Sequence, residues 1–98
     1  MTDAPATELI DETTHNRFVY RVDGEDVGVA DYQRTPGVIH IVHTEVDAHR
    51  RGAGVGGDMV RAILDRIRDE SSDTVGADCP FVRSWLDDHP DYLGLEAR

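Results

Sequence analysis

The chain of 98 residues contains no lysine: its ten basic residues are all arginine, set against 20 acidic ones, for a formal charge of −10. A surface of that sign repels nucleic acid and anionic membranes, which excludes both as general partners. Aspartate outnumbers glutamate. With lysine absent, this points to adaptation to high salt, since in roughly molar salt the Debye length falls to about 3 Å and dense carboxylates no longer repel at range. A GC-biased genome with ordinary solubility is the competing explanation. One cysteine, Cys79, allows no intramolecular disulfide and no cysteine-based metal cluster. No apolar run reaches the roughly 18 residues a membrane span needs, and "MTDAPATELIDETT" lacks the basic start and apolar centre of a secretory signal. The expectation is a cytoplasmic protein, one domain at 39% hydrophobic content, with room for a core and a cleft.

The remaining sequence divides into readable elements. Residues 1–14 are polar, acidic and aperiodic, and are expected to form a flexible arm before a domain spanning 15–98. "RFVYRV" (17–22) alternates, with Phe18, Tyr20 and Val22 on one face. The pair Asp23–Gly24 then predicts a two-residue hairpin turn, with a return strand "EDVGVADYQR" that places Val27, Val29 and Asp31 on one side. "TPG" (35–37) predicts another turn into "VIHIVHTEV", read as a largely buried central strand. Val55, Met59, Val60, Ile63, Leu64 and Ile67 share one face of a helix whose other face carries Asp58, Arg61, Asp65, Arg66 and Asp69, with Arg61 and Asp65 an i,i+4 pair. "TVGAD" is a short strand. Pro80 opens a second helix, "PFVRSWLDDH", with Phe81, Trp85 and Leu86 as core candidates, and Pro90 ends it. The class is α/β in the α+β sense: a mixed, mostly antiparallel sheet in the order β-β-β-α-β-α.

"HRRGAGVGGDM" (49–59), between strand and helix, is where the sequence carries chemistry. A glycine-rich turn feeding a helix N-terminus aims backbone N–H groups at a phosphate. A Walker A loop is excluded, because Gly56 is followed by Gly57 and Asp58 rather than by lysine and a hydroxyl residue. Gly52, Gly54 and Gly57 match the dinucleotide pattern G-x-G-x-x-G, with Asp78 about 20 residues on. Against that reading, "DAHRR" separates strand from glycine, the strand sits in an antiparallel sheet, and the chain has no room for a second mononucleotide half.

The third pattern is R-G-x-G-x-G, met by Arg51-Gly52-Ala53-Gly54-Val55-Gly56. Together with "HTEV" (43–46), "CPFV" (79–82) and His89-Pro90 followed by Tyr92, it resembles a compact single-domain subgroup of the GNAT superfamily of N-acetyltransferases, over about Arg17 to Leu93. Asp47 and Ala77 stand where that subgroup usually has proline. The resemblance implies acetyl-coenzyme A as acetyl donor and a small-molecule or peptide amine as acceptor, in a monomer or homodimer. It implies coenzyme A contacts from Glu45, Val46, His49, Arg50, Arg51, Gly52, Ala53, Gly54, Val55 and Gly56. Val46 would offer its backbone N–H to the acetyl or pantetheine carbonyl, and His49, Arg50 and Arg51 would form a positive rim around a strongly anionic ligand.

Cys79 and His43 are the catalytic candidates. Cys79, just before a proline-led helix, is either a thiol beside the thioester that relays the acetyl group or a small buried hydrophobe. His43 is either a general base or an anchor for the loop. Alternation puts His40 on the opposite face from His43 unless a bulge intervenes. The histidines show no metal-ligand spacing, so no metal is expected. Two rival readings stay open: a coenzyme A binder without catalysis, and a dinucleotide-binding module.

Overall fold

The computed structural model describes residues 6–48 and 54–96, and its sheet starts earlier than the sequence indicates. Strand β1 (Thr7–Glu12) lies inside the segment expected to be a loose arm, and pairs antiparallel with β2 (Arg17–Val22). Leu9 opposite Tyr20 and Ile10 opposite Val19 supply the apolar contacts, one on each face. A short 3-10 turn over Thr13–His15, closed by Asn16 in the left-handed region (φ 51°), reverses the chain between them. Four strands, not three, therefore precede the first helix.

The Asp23–Gly24 turn forms as expected. Both residues have positive φ (51° and 83°), the type I′ geometry, and join β2 to β3 (Glu25–Thr35). The register then departs from simple alternation. Tyr20 faces Gly28 and Arg21 faces Asp26, so Val27 is an extra, bulged residue. Past the bulge the core-facing set is Ala30 and Tyr32, while Val29 and Asp31 turn to the other face and only Val27 of the expected trio is buried. Pro36 and Gly37 (φ 78°) make the next turn, with Pro at i+1 and Gly at i+2 as type II demands. It leads to β4 (Val38–Val46).

Helix α1 (Val55–Glu70) crosses over to β5 (Thr74–Ala77), which pairs parallel with β4 and completes a five-stranded sheet in sequential order. Helix α2 (Pro80–Asp88) follows, and a 3-10 stretch over Pro90–Leu95 returns the chain along β5, where Glu96 bridges to Val75. Both helices contact each other and share one core with one face of the sheet. That is why β4 is not the largely buried strand its β-branched run indicates: only Ile39 and Ile41 are buried, His40 between them is half-covered, and His43 and Glu45 are exposed.

The helical periodicity holds, with Met59, Val60, Ile63, Leu64 and Ile67 buried and Val55 partly so. The exposed face differs in detail. Arg61 and Asp65 meet through the Tyr92 hydroxyl, which accepts from Arg61 (3.3 Å) and donates to Asp65 (2.7 Å). Trp85 and Leu86 are core residues, but Phe81 is 45% exposed. Leu64 has no exposed surface, and truncating such a side chain loses its transfer energy and leaves a cavity. Leu64→Ala is therefore expected to lower stability by about 2–5 kcal/mol, read as a lower urea midpoint with an unchanged slope.

Candidate functional site

β4 and β5 pair only from Val38 with Thr74 to Ile41 with Ala77. Beyond Ile41, β4 stays on β3 as far as Val46 opposite Gly28, while the chain leaving β5 turns through Cys79 into α2. At the root of the resulting gap, the Cys79 N–H donates to the Ile41 carbonyl at 2.9 Å. Asp47 N–H donates to Val27 O at 2.8 Å. Successive N–H groups alternate sides along an antiparallel strand, so the Val46 N–H turns away from β3, towards the side where β5 has ended.

One extra residue in β4 decides which side chains line that gap. Asp31 faces His43 and Tyr32 faces Ile41, so Val42 is bulged. Thr44 and Val46 consequently fall on the helix-covered face with Ile39 and Ile41. His43 joins His40 on the open face, because the bulge that simple alternation left open as an exception does intervene. His43 is 56% exposed and its Nε2 lies 3.2 Å from the Glu45 carboxylate on that same face. The structure thus groups His43 with Glu45, and places Cys79 with Thr44 and Val46 on the opposite side of the strand.

The gap's second wall is the start of α1. Gly54 caps it in the left-handed region (φ 81°), and the first N–H groups beyond it have no carbonyl one turn back to bind. A Cβ on Gly56 would sit 2.9 Å from the Phe81 ring and 3.4 Å from a Val46 methyl, and one on Gly57 would sit 3.4 Å from Trp85 Nε1. Missing side chains at 56 and 57 let the two helix N-termini and the end of β4 converge. Gly57 thus faces Trp85 of α2, where a dinucleotide fingerprint would need it against its own strand. His49, Arg50, Arg51, Gly52 and Ala53 lie outside the described residues.

Cys79 is 6% exposed and occupies the N-cap of α2. Burial pushes its thiol up, but this is outweighed by the Thr44 hydroxyl, 3.5 Å from Sγ, and by backbone N–H groups of Val82, Phe81 and Thr44. The net result is a thiol held below its ordinary value. Val82 and Phe81 act as the positive end of the helix without closing a formal capping hydrogen bond. The sequence marked Cys79 and Val46. It did not mark Thr44, Phe81 or the place of Gly57 against Trp85, and only the "HTEV" match carried a signal for Thr44. His89 is structural, stacked on Trp85 at 3.8 Å with Nδ1 2.7 Å from the Trp85 carbonyl oxygen.

Among the described residues, no group of three or more His, Cys, Asp or Glu is arranged to hold a metal ion, and no helix is long and apolar enough to cross a membrane. A cavity of about 170 Å³ lies at the other end of α1, on a floor of Phe18, Ile39 and Ile67. Its rim charges are matched: Arg34 stands 3.6 Å from both Asp11 and Asp73, and Arg66 3.4 Å from Glu70. It holds none of the groups that converge on Cys79.

A family model described as GCN5-related N-acetyl-transferase matches residues 17–95. The chain belongs to this family. The match runs from β2 through the final 3-10 stretch, so it takes in both walls of the gap and leaves out only β1 and the two ends. Members of the GCN5-related family generally transfer the acetyl group of acetyl-coenzyme A to small-molecule or peptide acceptors. No curated protein matches the chain.

The thiol's surroundings give a direct test. Thr44→Val removes the hydroxyl next to Sγ and keeps the side-chain volume. The midpoint of the rate–pH profile for alkylation by iodoacetamide is expected to rise, with the limiting rate at high pH retained.

Proposed function

We propose that this chain is an acetyl-coenzyme A-dependent N-acetyltransferase acting on an amine. The observation that carries the reading is the gap where β4 and β5 part, with the Val46 N–H aimed into it, Cys79 and Thr44 on one wall and the α1 N-terminus on the other. In this reading the donor's pyrophosphate lies on the "RGAGVG" loop. The first N–H groups of α1 bind it, helped by a dipole contribution of about 0.3–1 kcal/mol, and His49, Arg50 and Arg51 supply local positive charge in a protein of net charge −10.

The Val46 N–H would donate to the thioester carbonyl and to the oxyanion that replaces it as the amine attacks. The new C–N bond forms, the C–S bond breaks, and coenzyme A leaves as its thiolate. A lysine-like amine with a pKa of about 10.4 is only about 0.1% deprotonated at pH 7.4, so the acceptor's proton needs a destination. His43 stands on the open face, 3.2 Å from the Glu45 carboxylate, and serves there as base or as anchor of the strand end. In this reading Cys79, its thiol held below the ordinary value, would either take the acetyl group transiently or orient it. The open face is rich in carboxylates, among them Asp31, Glu45 and Asp78, which suits a cationic acceptor.

The second reading, a coenzyme A binder without turnover, is favoured by one observation: Cys79 and His43 lie on opposite sides of β4. Two measurements separate the readings. Isothermal titration is expected to show saturable coenzyme A binding that Arg51→Ala weakens, no response to NAD, and affinity retained in molar salt. A titration silent to coenzyme A in both salts would remove both readings. Cys79→Ser is expected to bind coenzyme A normally but lose thioester turnover with amine acceptors; undiminished turnover would take Cys79 out of the chemistry.

A further inference from the structure

His40 is tied into the root of the gap in a way that no motif indicates. The Nδ1 side of its ring sits against Gly76, its register partner on β5: a Cβ at position 76 would come within 2.4 Å of Nδ1 and 3.2 Å of two ring carbons. Glycine inside a strand weakens it, and here it clears the space the imidazole fills. From that seat the ring reaches in two directions. Nε2 lies 3.0 Å from the Thr35 hydroxyl at the end of β3, and Nδ1 lies 3.6 Å from the Asp78 carboxylate just past the end of β5. His40 thus links three strands one rung before the last pair, Ile41 with Ala77, beyond which β4 and β5 separate.

The next residue along each segment makes the next tie, Cys79 N–H to Ile41 O at 2.9 Å. The two contacts, 40 to 78 and 41 to 79, are adjacent rungs between the same two stretches of chain. One of them carries the thiol. The outer rung holds the peptide that sets where Sγ sits relative to Thr44 and to the N–H groups of Phe81 and Val82. The other charged or titratable groups on the open face beside His40 are His43 and Glu45 of its own strand and Asp31 of β3; those held against the thiol are Thr44 from β4 and the start of α2.

We propose that His40 is a positioning residue that acts through Asp78, with Thr35 and Gly76 fixing its ring, to hold the Cys79 turn in the geometry that keeps the thiol reactive. Its catalytic consequence rests on the reading of Cys79 as a wall of the transfer cleft, but its physical content does not.

The test is the rate of Cys79 alkylation by iodoacetamide against pH, in full-length wild type, Asp78→Asn, His40→Gln, His40→Asn and Gly76→Ala, each first shown folded by circular dichroism and a cooperative melt. Asp78→Asn is the decisive variant because two explanations predict opposite signs. If Asp78 acts only as a charge beside the thiol, removing it favours the thiolate and the midpoint falls. If Asp78 is the anchor that His40 holds, removing it loosens the turn and the midpoint rises. We expect it to rise, with alkylation at pH 7 slowed about twofold to fivefold, as befits loss of one partly exposed polar contact.

His40→Gln is expected to behave as Asp78→Asn does, since its amide reaches the Thr35 side only. In His40→Asn the amide nitrogen stands near the position of Nδ1 and should restore most of the wild-type rate. Gly76→Ala keeps every interacting group but displaces the ring, and should match His40→Gln. A lowered midpoint in Asp78→Asn, no change in any variant, or equal behaviour of the Gln and Asn variants would each overturn the proposal. Because alkylation needs no acetyl-coenzyme A, absent turnover alongside the expected alkylation pattern would count against the acetyltransferase reading and support this one.

Discussion

The site depends on one irregular strand. β4 gains an extra residue at Val42 and, at nearly the same point, loses its parallel neighbour. Either event alone would do less. Without the bulge, Thr44 would face away from Cys79 and His43 would lie beneath the helices. Without the parting of β4 from β5, the outward backbone groups of β4 would be spent on a further strand. Together they leave main-chain donors such as the Val46 N–H beside a thiol and a helix N-terminus. Backbone groups removed from a partner in a half-covered place need one, and in the reading proposed above a thioester carbonyl supplies it.

Charge reinforces this division of labour. Every described arginine is engaged: Arg17, Arg21, Arg34, Arg66, Arg68 and Arg83 with carboxylates, and Arg61 with the Tyr92 hydroxyl and the rings of Trp85 and Tyr92. Such partly exposed pairs contribute little each, about 0–1 kcal/mol, but they withdraw the cations from other work. Within the described residues, the groups that converge on the gap are therefore dipoles: the N–H ends of two helices and a strand. Fixed dipoles at close range are less sensitive to salt than charges acting through solvent.

How much of this was legible depended on how local each cause is. The Asp23–Gly24 and Pro36–Gly37 turns and the apolar face of α1 are set by residues next to one another or one helical turn apart, and they form as read. β1 was missed because Leu9 and Ile10 are its only apolar residues and both answer to partners nine or more positions away. The bulges at Val27 and Val42 leave no mark in composition, yet each inverts the face of everything after it, which is why Val29 was misplaced and His43 followed the exception to simple alternation. Phe81 looked like core because it sits at helical spacing from Trp85, but the space it would enter is filled by the glycine-lined start of α1. At the site, Cys79 and Val46 were legible through motifs, while Thr44, Gly57 and the His40–Gly76 fit needed the register.

The two edges of the sheet are closed to further strands by different means. At β5 the returning chain itself blocks the edge, through the bridge of Glu96 to Val75. At β1 none of the described residues covers the edge in this way, and it carries Glu8, Asp11 and Glu12 within six residues, so a second copy approaching it meets charge of its own sign. The first guard is steric and indifferent to the medium; the second weakens as counterions accumulate. A rise in salt would therefore act on one edge of the sheet and leave the other as it is, which gives the sheet a polarity.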